Sequence, residues 1–202
     1  MSVDIDSVKK GYIVIHDDNN RMDATILCAI RDYVGDIIKD KQPIFNYNDR
    51  EVQDDNKRFQ AKLDQRLTIV KSIKEYILSS IRSSYHIGTR RIGKMVLLHS
   101  EAGCQQQHWH TDYDPDVLQG LAELPWGVVL AIENGTSLDI IDPDTREPVS
   151  IQLLPGSLIF FRGDIVHAGA AYSGPNNRIH AYLDTDIYRQ TANKTYLDFD
   201  SV

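Results

Sequence analysis

Two residues near the middle of the chain, His110 and Asp112, place an imidazole and a carboxylate two residues apart. They lie in the segment Gln105–Pro115, which we expect to be extended. In an extended strand, residues two apart point to the same face, so both side chains would face the same way. A mixed nitrogen and oxygen pair is a reasonable start for a divalent metal site. The pair alone is also common in polar surface strands, and it does not establish a site.

Two later residues strengthen the metal prediction. His167 follows Gly163-Asp164-Ile165-Val166 and begins a strand of small residues, Ala168–Ala171. The intervening chain is long enough for several strands to return His167 to the first pair. Two histidines and one carboxylate on one face leave positions open at the metal, as in non-haem Fe(II) oxygenases. Arg178, in the next predicted strand, can bind a carboxylate through two parallel hydrogen bonds.

Three neighbouring residues compete for a place at this metal. His108 shares the face of His110, and we interpret it as a neighbour of the ligands or an ordinary strand histidine, with a place among the ligands left open. Gln106 carries the same ambiguity. Asp114 could replace Asp112 if the segment is bulged. His108, His110 and Asp114 also resemble the first motif of two-histidine cupins, but the spacings are off and the second motif is not recognisable downstream.

The ordered set His110-x-Asp112, His167 and Arg178 resembles the signature of the Fe(II)- and 2-oxoglutarate-dependent dioxygenases. The phrase that begins at Gly156 and leads to His167 also resembles this family's approach to its second histidine. The resemblance implies a double-stranded β-helix, or jelly roll, with the N-terminal helices packed against it. The four parts together are far more specific than any one part.

The resemblance implies a role for each of these residues. His110, Asp112 and His167 would ligate Fe(II), and Arg178 would pair with the far carboxylate of 2-oxoglutarate. This co-substrate would chelate the iron through its 1-carboxylate and 2-keto oxygens, and O2 would take the last position. Oxidative decarboxylation to succinate and CO2 would then drive hydroxylation of a nearby C–H bond. The protein would position the reactants and keep water out.

One position departs from the family pattern. Some members carry a serine two residues after the arginine, where it helps to hold the same carboxylate. Here that position is His180, and Tyr182 follows on the same face of the strand. Either side chain could donate a hydrogen bond to the carboxylate. We therefore predict that His180 and Tyr182 bind the co-substrate together with Arg178.

Two helices and a series of strands must position these residues. Apolar side chains at three- and four-residue spacing predict a helix from Asp23, its N-cap, to about Lys39, and a second from about Lys57 to Ser83. Short apolar runs bounded by turn residues then predict strands at 94–99, 126–133, 136–142, 148–154, 157–162, 167–172 and 177–184. Asn134-Gly135 predicts a hairpin between the second and third of these strands.

Many short strands that follow segregated helices predict an α+β fold that is mainly β. With the resemblance, this becomes a double-stranded β-helix in a single domain of 202 residues. We expect residues 1–90 to form a helical buttress and residues 91–184 to form the jelly-roll core. Residues 185–202 would form a C-terminal tail, either a lid over the site or a loose end. The polar stretch Asn46–Gln60 could contribute to a substrate entrance.

The composition limits the class of function. Hydrophobic residues make up 42% of the chain and charged residues 25%, which is typical of globular proteins. The net charge of −7 argues against a protein that coats nucleic acid, which normally presents a basic stripe. No export signal and no apolar run of bilayer length are seen, and Cys28 and Cys104 show no disulfide pattern. We expect an intracellular, cytoplasmic protein without a membrane contact.

The sequence leaves the substrate open, because substrate pockets are built from loops that vary freely on one fold. A protein side chain and a small metabolite are the leading candidates, and an alkylated base is the least favoured. Two other functions remain as alternatives to a 2-oxoglutarate-dependent hydroxylase. One is a cupin-type metalloenzyme that needs no oxo-acid, and the other is a non-catalytic metal-binding jelly roll.

Overall fold

A computed structural model describes residues 10–17, 22–44, 56–82, 91–190 and 195–197. Its helices are α1 (Ala24–Ile37), α2 (Thr68–Arg82) and the short α3 (Pro115–Leu118), and a 3-10 helix, Ile38–Asp40, follows α1. Its strands are β1 (Tyr12–Ile15), β2 (Gln42–Pro43), β3 (Arg58–Lys62), β4 (Arg91–Ser100), β5 (His110–Thr111), β6 (Trp126–Ala131), β7 (Thr136–Ile141), β8 (Pro148–Leu153), β9 (Leu158–Arg162), β10 (His167–Gly169), β11 (Asn176–Asp184) and β12 (Tyr196–Leu197).

The strands form two antiparallel sheets that pack face to face. The larger sheet has the order β1-β9-β6-β11-β4-β3-β2, and the smaller has the order β12-β5-β10-β7-β8. Val129 and Ile159 of the larger sheet pack in one buried cluster with Leu138, Ile140 and Leu153 of the smaller. This arrangement is a double-stranded β-helix, and the predicted fold class, mainly β with minor helices, is confirmed.

The two long helices cover the outer face of the larger sheet. Ile30 of α1 and Ile73 of α2 belong to the same buried cluster as Leu97 of β4 and Ile179 of β11. Because side chains alternate along a strand, the residues next to Ile179 must face the other way, into the space between the sheets. Arg178 is one of them, so the helices on one face fix which polar side chains reach the interior.

The first predicted helix is confirmed and the second is corrected. Asp23 caps α1, since its Oδ1 accepts a hydrogen bond from Thr25 N at 2.9 Å. The second helix begins at Thr68 rather than near Lys57, because β3 occupies residues 58–62 and pairs with β4. The apolar residues of this region are spaced by four, Phe59, Leu63 and Leu67, which imitates a helical stripe although the first of them lies in a strand.

The predicted hairpin at Asn134-Gly135 is wrong. The chain does turn there, with Gly135 at a φ of 75°, and Thr136 Oγ1 donates to Glu133 O at 2.8 Å across the bend. However, β6 and β7 lie in different sheets, so the turn carries the chain across the sandwich. Both flanking strands are buried along their whole length, and each finds its partners elsewhere. The next turn makes the hairpin, between β7 and β8.

The remaining predicted strands are found, and strands outside them were missed. β4, β6, β7, β8, β9 and β11 lie close to their predicted bounds, whereas β10 is shorter. The N-terminal part contributes strands as well as helices, since β1 pairs with β9 and β3 with β4. Most of the predicted entrance segment, residues 46–55, and half of the predicted tail, residues 191–194 and 198–202, lie outside the described residues. Within the described ranges, no helix has the length and apolarity needed to cross a bilayer.

Candidate metal centre

Strand register brings the two predicted metal histidines together. His110 of β5 pairs directly with His167 of β10 across the smaller sheet, and their ring centroids lie 4.5 Å apart. Asp112 follows β5 two residues after His110. The candidate ligand atoms of these three residues all lie within 4.8 Å of one another, and each residue is at most 4% exposed. The three residues therefore form one compact, buried cluster of two nitrogen donors and one oxygen donor.

Backbone carbonyls fix which nitrogen of each imidazole faces the cluster. His110 Nδ1 lies 2.6 Å from His108 O, and His167 Nδ1 lies 3.0 Å from Ile165 O. A carbonyl oxygen can only accept, so each Nδ1 carries the proton and donates. In a neutral imidazole the other nitrogen, Nε2, then has a free lone pair, as a metal ligand requires.

The charges of the cluster suit a cation. Burial, followed by the neighbouring His167, lowers the pKa of His110 to about 3, and burial also lowers the pKa of His167. For Asp112, burial by itself raises the pKa, but interactions with the neighbouring imidazoles of His180 and His167 outweigh it, and the net pKa lies below the usual value. At neutral pH the cluster thus holds two neutral imidazoles and one carboxylate.

The Asp112 carboxylate can still accept a positively charged partner. Among the described residues, Asp112 Oδ2 is a buried oxygen without a well-aligned hydrogen bond, although His180 Nε2 lies 3.1 Å from it. A buried negative charge is costly unless a partner compensates it. Two imidazole nitrogens and a carboxylate oxygen with open positions are the donor set of non-haem Fe(II) sites. The residues present therefore fit an iron ion.

The cluster opens into a cleft of about 60 Å³ between the two sheets. The cleft is lined mainly by apolar surface from both sheets, and its polar lining includes the candidate metal cluster and residues of β11. Arg178, His180 and Tyr182 of β11 all face it. The other lining residues are Ile44, Gln60, Val96, Leu98, Gln107, Val129, Leu138, Phe161, Gly169 and Thr195.

Arg178 is a buried cation with no carboxylate partner among the described residues. The residue is 2% exposed. Its Nη1 donates to Ser100 Oγ at 3.1 Å, and its guanidinium lies 5.2 Å from the Tyr172 ring centroid. Burial lowers its pKa, and the nearby Arg58 adds to this, while no carboxylate among the described residues acts on it. A buried guanidinium on which no carboxylate acts can bind an anion from the cleft.

The sequence analysis did not identify Arg58, a second buried arginine. Arg58 lies in β3 and is 1% exposed. Its guanidinium donates to Ala170 O at 2.8 Å and Gly169 O at 3.1 Å, and also to Gln105 O. Arg58 therefore ties β3 to the ends of the segments that carry both metal histidines. It was missed because its region was predicted as helix; the alternation of polar and apolar residues in β3 was the available signal.

Gln107 and Gly169 make a second tie between these segments. Gln107 N donates to Gly169 O at 2.9 Å, and Gly169 N donates to Gln107 Oε1 at 2.9 Å. A Cβ at Gly169 would lie 2.2 Å from Gln107 Oε1, so this close approach requires glycine. The small residues predicted after His167 thus serve close packing, and Gly169 also lines the cleft.

The competing candidates lie outside the cluster of metal donors. His108 is exposed, and its backbone oxygen accepts from His110 Nδ1. Gln106 Nε2 donates to Asp139 Oδ2 at 2.7 Å. Asp114 caps α3, where its Oδ1 accepts from Asp116 N at 3.0 Å. The structure therefore does not bring the ligand slots of the cupin-like interpretation together.

The fold is shared with solved structures of iron- and 2-oxoglutarate-linked enzymes. A prolyl-4-hydroxylase of Pseudomonas putida matches with a TM-score of 0.64 at 12% identity, over 88% of this chain and 94% of that chain. The alpha-ketoglutarate-dependent epimerase SnoN from nogalamycin biosynthesis matches with a TM-score of 0.67 at 13% identity, over 94% of both chains. A prolyl hydroxylase of Trichoplax adhaerens matches with a TM-score of 0.63 at 14% identity, over 87% and 84%.

No protein-family model and no curated protein sequence matches the chain. At identities of 12–14% the structural likeness establishes the fold, the jelly roll of 2-oxoglutarate-dependent oxygenases. The chemistry must therefore be argued from the residues of this chain.

Proposed function

We propose that this protein is an Fe(II)- and 2-oxoglutarate-dependent oxygenase that hydroxylates an organic substrate and forms succinate and CO2. The observation that carries the proposal is the common cleft of two complementary sites. One is the cluster His110, Asp112 and His167, and the other is the buried cation Arg178. A metal chelator that also carries a distant carboxylate would engage both, and 2-oxoglutarate has this chemistry.

Each part of the cleft has a task in the proposed reaction. His110, Asp112 and His167 would hold the iron, which would supply the redox chemistry that couples oxo-acid decarboxylation to oxidation of a C–H bond. Arg178 would orient the oxo-acid by binding its far carboxylate in a fork geometry. The apolar lining, with Leu138 as an example, would exclude water and strengthen these charged contacts.

The substrate we propose is a protein side chain or a small molecule. The Trichoplax adhaerens neighbour was solved with a peptide fragment of hypoxia inducible factor, and SnoN was solved with Fe3+, alpha-ketoglutarate and nogalamycin RO. The fold thus accommodates both classes. The net charge of −7 makes nucleic acid the least favoured partner. We also propose a cytoplasmic location, consistent with the free thiols of Cys28 and Cys104.

An anaerobic titration of the Fe(II)-loaded protein with 2-oxoglutarate tests the proposal. We expect the visible charge-transfer band of the iron–oxo-acid chelate to appear and saturate. His167→Ala should lose the iron and the band together. Arg178→Met should keep the iron but raise the apparent Kd for 2-oxoglutarate by roughly 10- to 100-fold, the value of a lost charge-assisted contact. Arg162→Met, at the end of β9, is the matched arginine control.

Two outcomes would contradict the proposal in different ways. A protein that does not bind Fe(II) lacks the proposed metal site altogether. A protein that binds Fe(II) but forms no band with 2-oxoglutarate holds a metal without this co-substrate. The second result would favour the cupin-type enzyme or the metal-binding module.

A further inference from the structure

His180 faces the metal cluster rather than the anion-binding arginine. Its Nε2 lies 3.1 Å from Asp112 Oδ2, and the side chains of both residues are less than a tenth exposed. Neither Asp112 Oδ2 nor His180 Nε2 has a well-aligned hydrogen bond among the described residues, so the two atoms are each other's close polar neighbours, and a carboxylate oxygen favours an N–H on the nitrogen that faces it. An N–H at Nε2 that faces Asp112 does not also face a co-substrate carboxylate.

Aromatic neighbours hold the His180 ring in this orientation. The Phe161 ring is nearly parallel to it, at an angle of 5° and a centroid distance of 6.2 Å. The Tyr182 ring meets it edge-on at 74° and 4.6 Å. Turning the imidazole away from Asp112 would require at least one of these buried rings to move.

The two oxygens of Asp112 then have different surroundings. Oδ1 lies 3.8 Å from His167 Nε2, on the side of the two metal imidazoles, while Oδ2 lies beside His180. We propose that His180 is a positioning residue that holds Oδ2, so that Asp112 offers the metal one oxygen instead of two. This inference rests on the proposed function and replaces, for His180, the co-substrate contact expected from the resemblance.

Limiting the carboxylate to one oxygen has a direct consequence for the proposed reaction. Two histidines and one carboxylate oxygen leave three positions at a six-coordinate iron. A chelating oxo-acid would need two of these positions, which leaves one for O2. If Asp112 used both oxygens, one reactant would lose its position. His180 thus keeps the metal accessible without touching either reactant.

Mn(II) binding to the purified protein tests this role without relying on turnover. The concentration of free Mn(II), followed by its electron paramagnetic resonance signal, gives the Kd for wild type, His180→Leu and His180→Gln. We expect His180→Leu to weaken Mn(II) binding about 10- to 100-fold, which is typical when a hydrogen bond to a metal ligand is removed. His180→Gln keeps an N–H donor and should recover most of the affinity.

A second measurement separates positioning from co-substrate binding. On Fe(II)-saturated protein, the apparent Kd for 2-oxoglutarate should stay within about threefold of wild type in His180→Leu, whereas Arg178→Met should raise it strongly. Unchanged Mn(II) affinity with a raised Kd for 2-oxoglutarate would overturn the inference and return His180 to the co-substrate. Wild-type protein that binds neither Mn(II) nor Fe(II) would instead overturn the proposed function. If His180→Leu does not fold, His180→Asn, whose amide is too short to reach Oδ2, replaces it in the comparison with His180→Gln.

Discussion

At the scale of single residues, the two buried arginines share a partner but differ in how their charge is compensated. Both Arg58 and Arg178 donate to Ser100 Oγ, at 3.3 and 3.1 Å. Arg58 Nη2 donates to backbone carbonyls such as Ala170 O, whereas Arg178 lies over the Tyr172 ring with no carboxylate beside it in the described part of the chain. Arg58 therefore stabilises the fold, whereas Arg178 can bind a ligand.

Substitution of the two arginines should change stability in different directions. Arg58→Met removes the arginine donor from Ala170 O and one of the two donors from Gly169 O, and we expect it to lower the free energy of unfolding by about 1–3 kcal/mol. Arg178→Met removes an uncompensated buried charge and should leave the unfolding free energy unchanged or raise it. Urea unfolding of the metal-free protein measures both.

Arg66 supplies the surface control for this pair. Its side chain is 89% exposed and forms an ion pair with Asp64 at 2.9 Å, so Arg66→Met should change the unfolding free energy by no more than about 0.5 kcal/mol. A loss in Arg178→Met as large as that in Arg58→Met would show that Arg178 is a structural residue. That result would also weaken its assignment as an anchor for the oxo-acid.

At the scale of elements, β6 shapes the metal centre although it supplies none of the metal ligands. Gly127 of β6 lies between Phe161 of β9 and Tyr182 of β11 in the sheet register. A Cβ at Gly127 would lie 2.4 Å from the Phe161 ring, which occupies the space above the glycine. From there the ring contacts His167 at a centroid distance of 4.5 Å and stacks beside His180.

Gly127→Ala should therefore damage both packing and metal binding. The methyl group must displace the Phe161 ring, and we expect a loss of about 1–3 kcal/mol in unfolding free energy, as is usual for overpacking. We also expect weaker Mn(II) binding, because the displaced ring supports two imidazoles. Gly35→Ala is the matched control: nothing lies within 4 Å of a Cβ there, and in the exposed face of α1 it should stabilise the protein by about 0.5–1 kcal/mol. Equal effects of the two substitutions would contradict this account.

Elements with a strong local pattern were predictable, and elements defined by distant partners were not. α1 combines a capping aspartate with helical periodicity, and β9 is a short apolar run between turn residues. By contrast, β12 has two residues and exists through its pairing with β5. The region of β3 was predicted as helix because Phe59, Leu63 and Leu67 fit a four-residue spacing. The local pattern thus indicates that an element is present. Where helix and strand fit the pattern equally well, the pairing partners decide between them.

At the scale of the whole molecule, the candidate site is formed by residues of both sheets. His110 and His167 come from the smaller sheet, and Arg178 and His180 come from the larger. The resemblance to a family motif was enough to predict that His110, Asp112 and His167 lie together. The contacts that position them, such as Phe161 against His167, depend on register across the sandwich. The spacing of residues along one chain carries no information about that register.

The pH dependence of stability tests the buried histidines as a group. Burial is the main cause that lowers the pKa of His99, His110 and His167 below the usual 6.5. Below pH 6.5 the unfolded chain therefore binds protons that the folded metal-free protein does not, so stability falls as the pH falls toward the folded pKa values. Above pH 6.5 the imidazoles are neutral in both states, and they contribute no slope. Each histidine can add up to about 1.4 kcal/mol per pH unit.

The net charge of the chain predicts the opposite change of stability with pH. The direction of the measured change therefore distinguishes the two effects. The chain carries −7 at pH 7 and has a pI of about 5.4, so acidification toward pH 5.4 relieves self-repulsion and by itself stabilises the compact state. We expect the histidines to outweigh this effect, and urea unfolding of metal-free protein from pH 8 to pH 5 should show a steady loss below pH 6.5. A variant with His110→Gln and His167→Gln keeps His99 and should lose most of that slope. Stability that rises on acidification in the wild type would mean that the folded protein takes up protons at these imidazoles, and that the donor set is not held neutral for a metal.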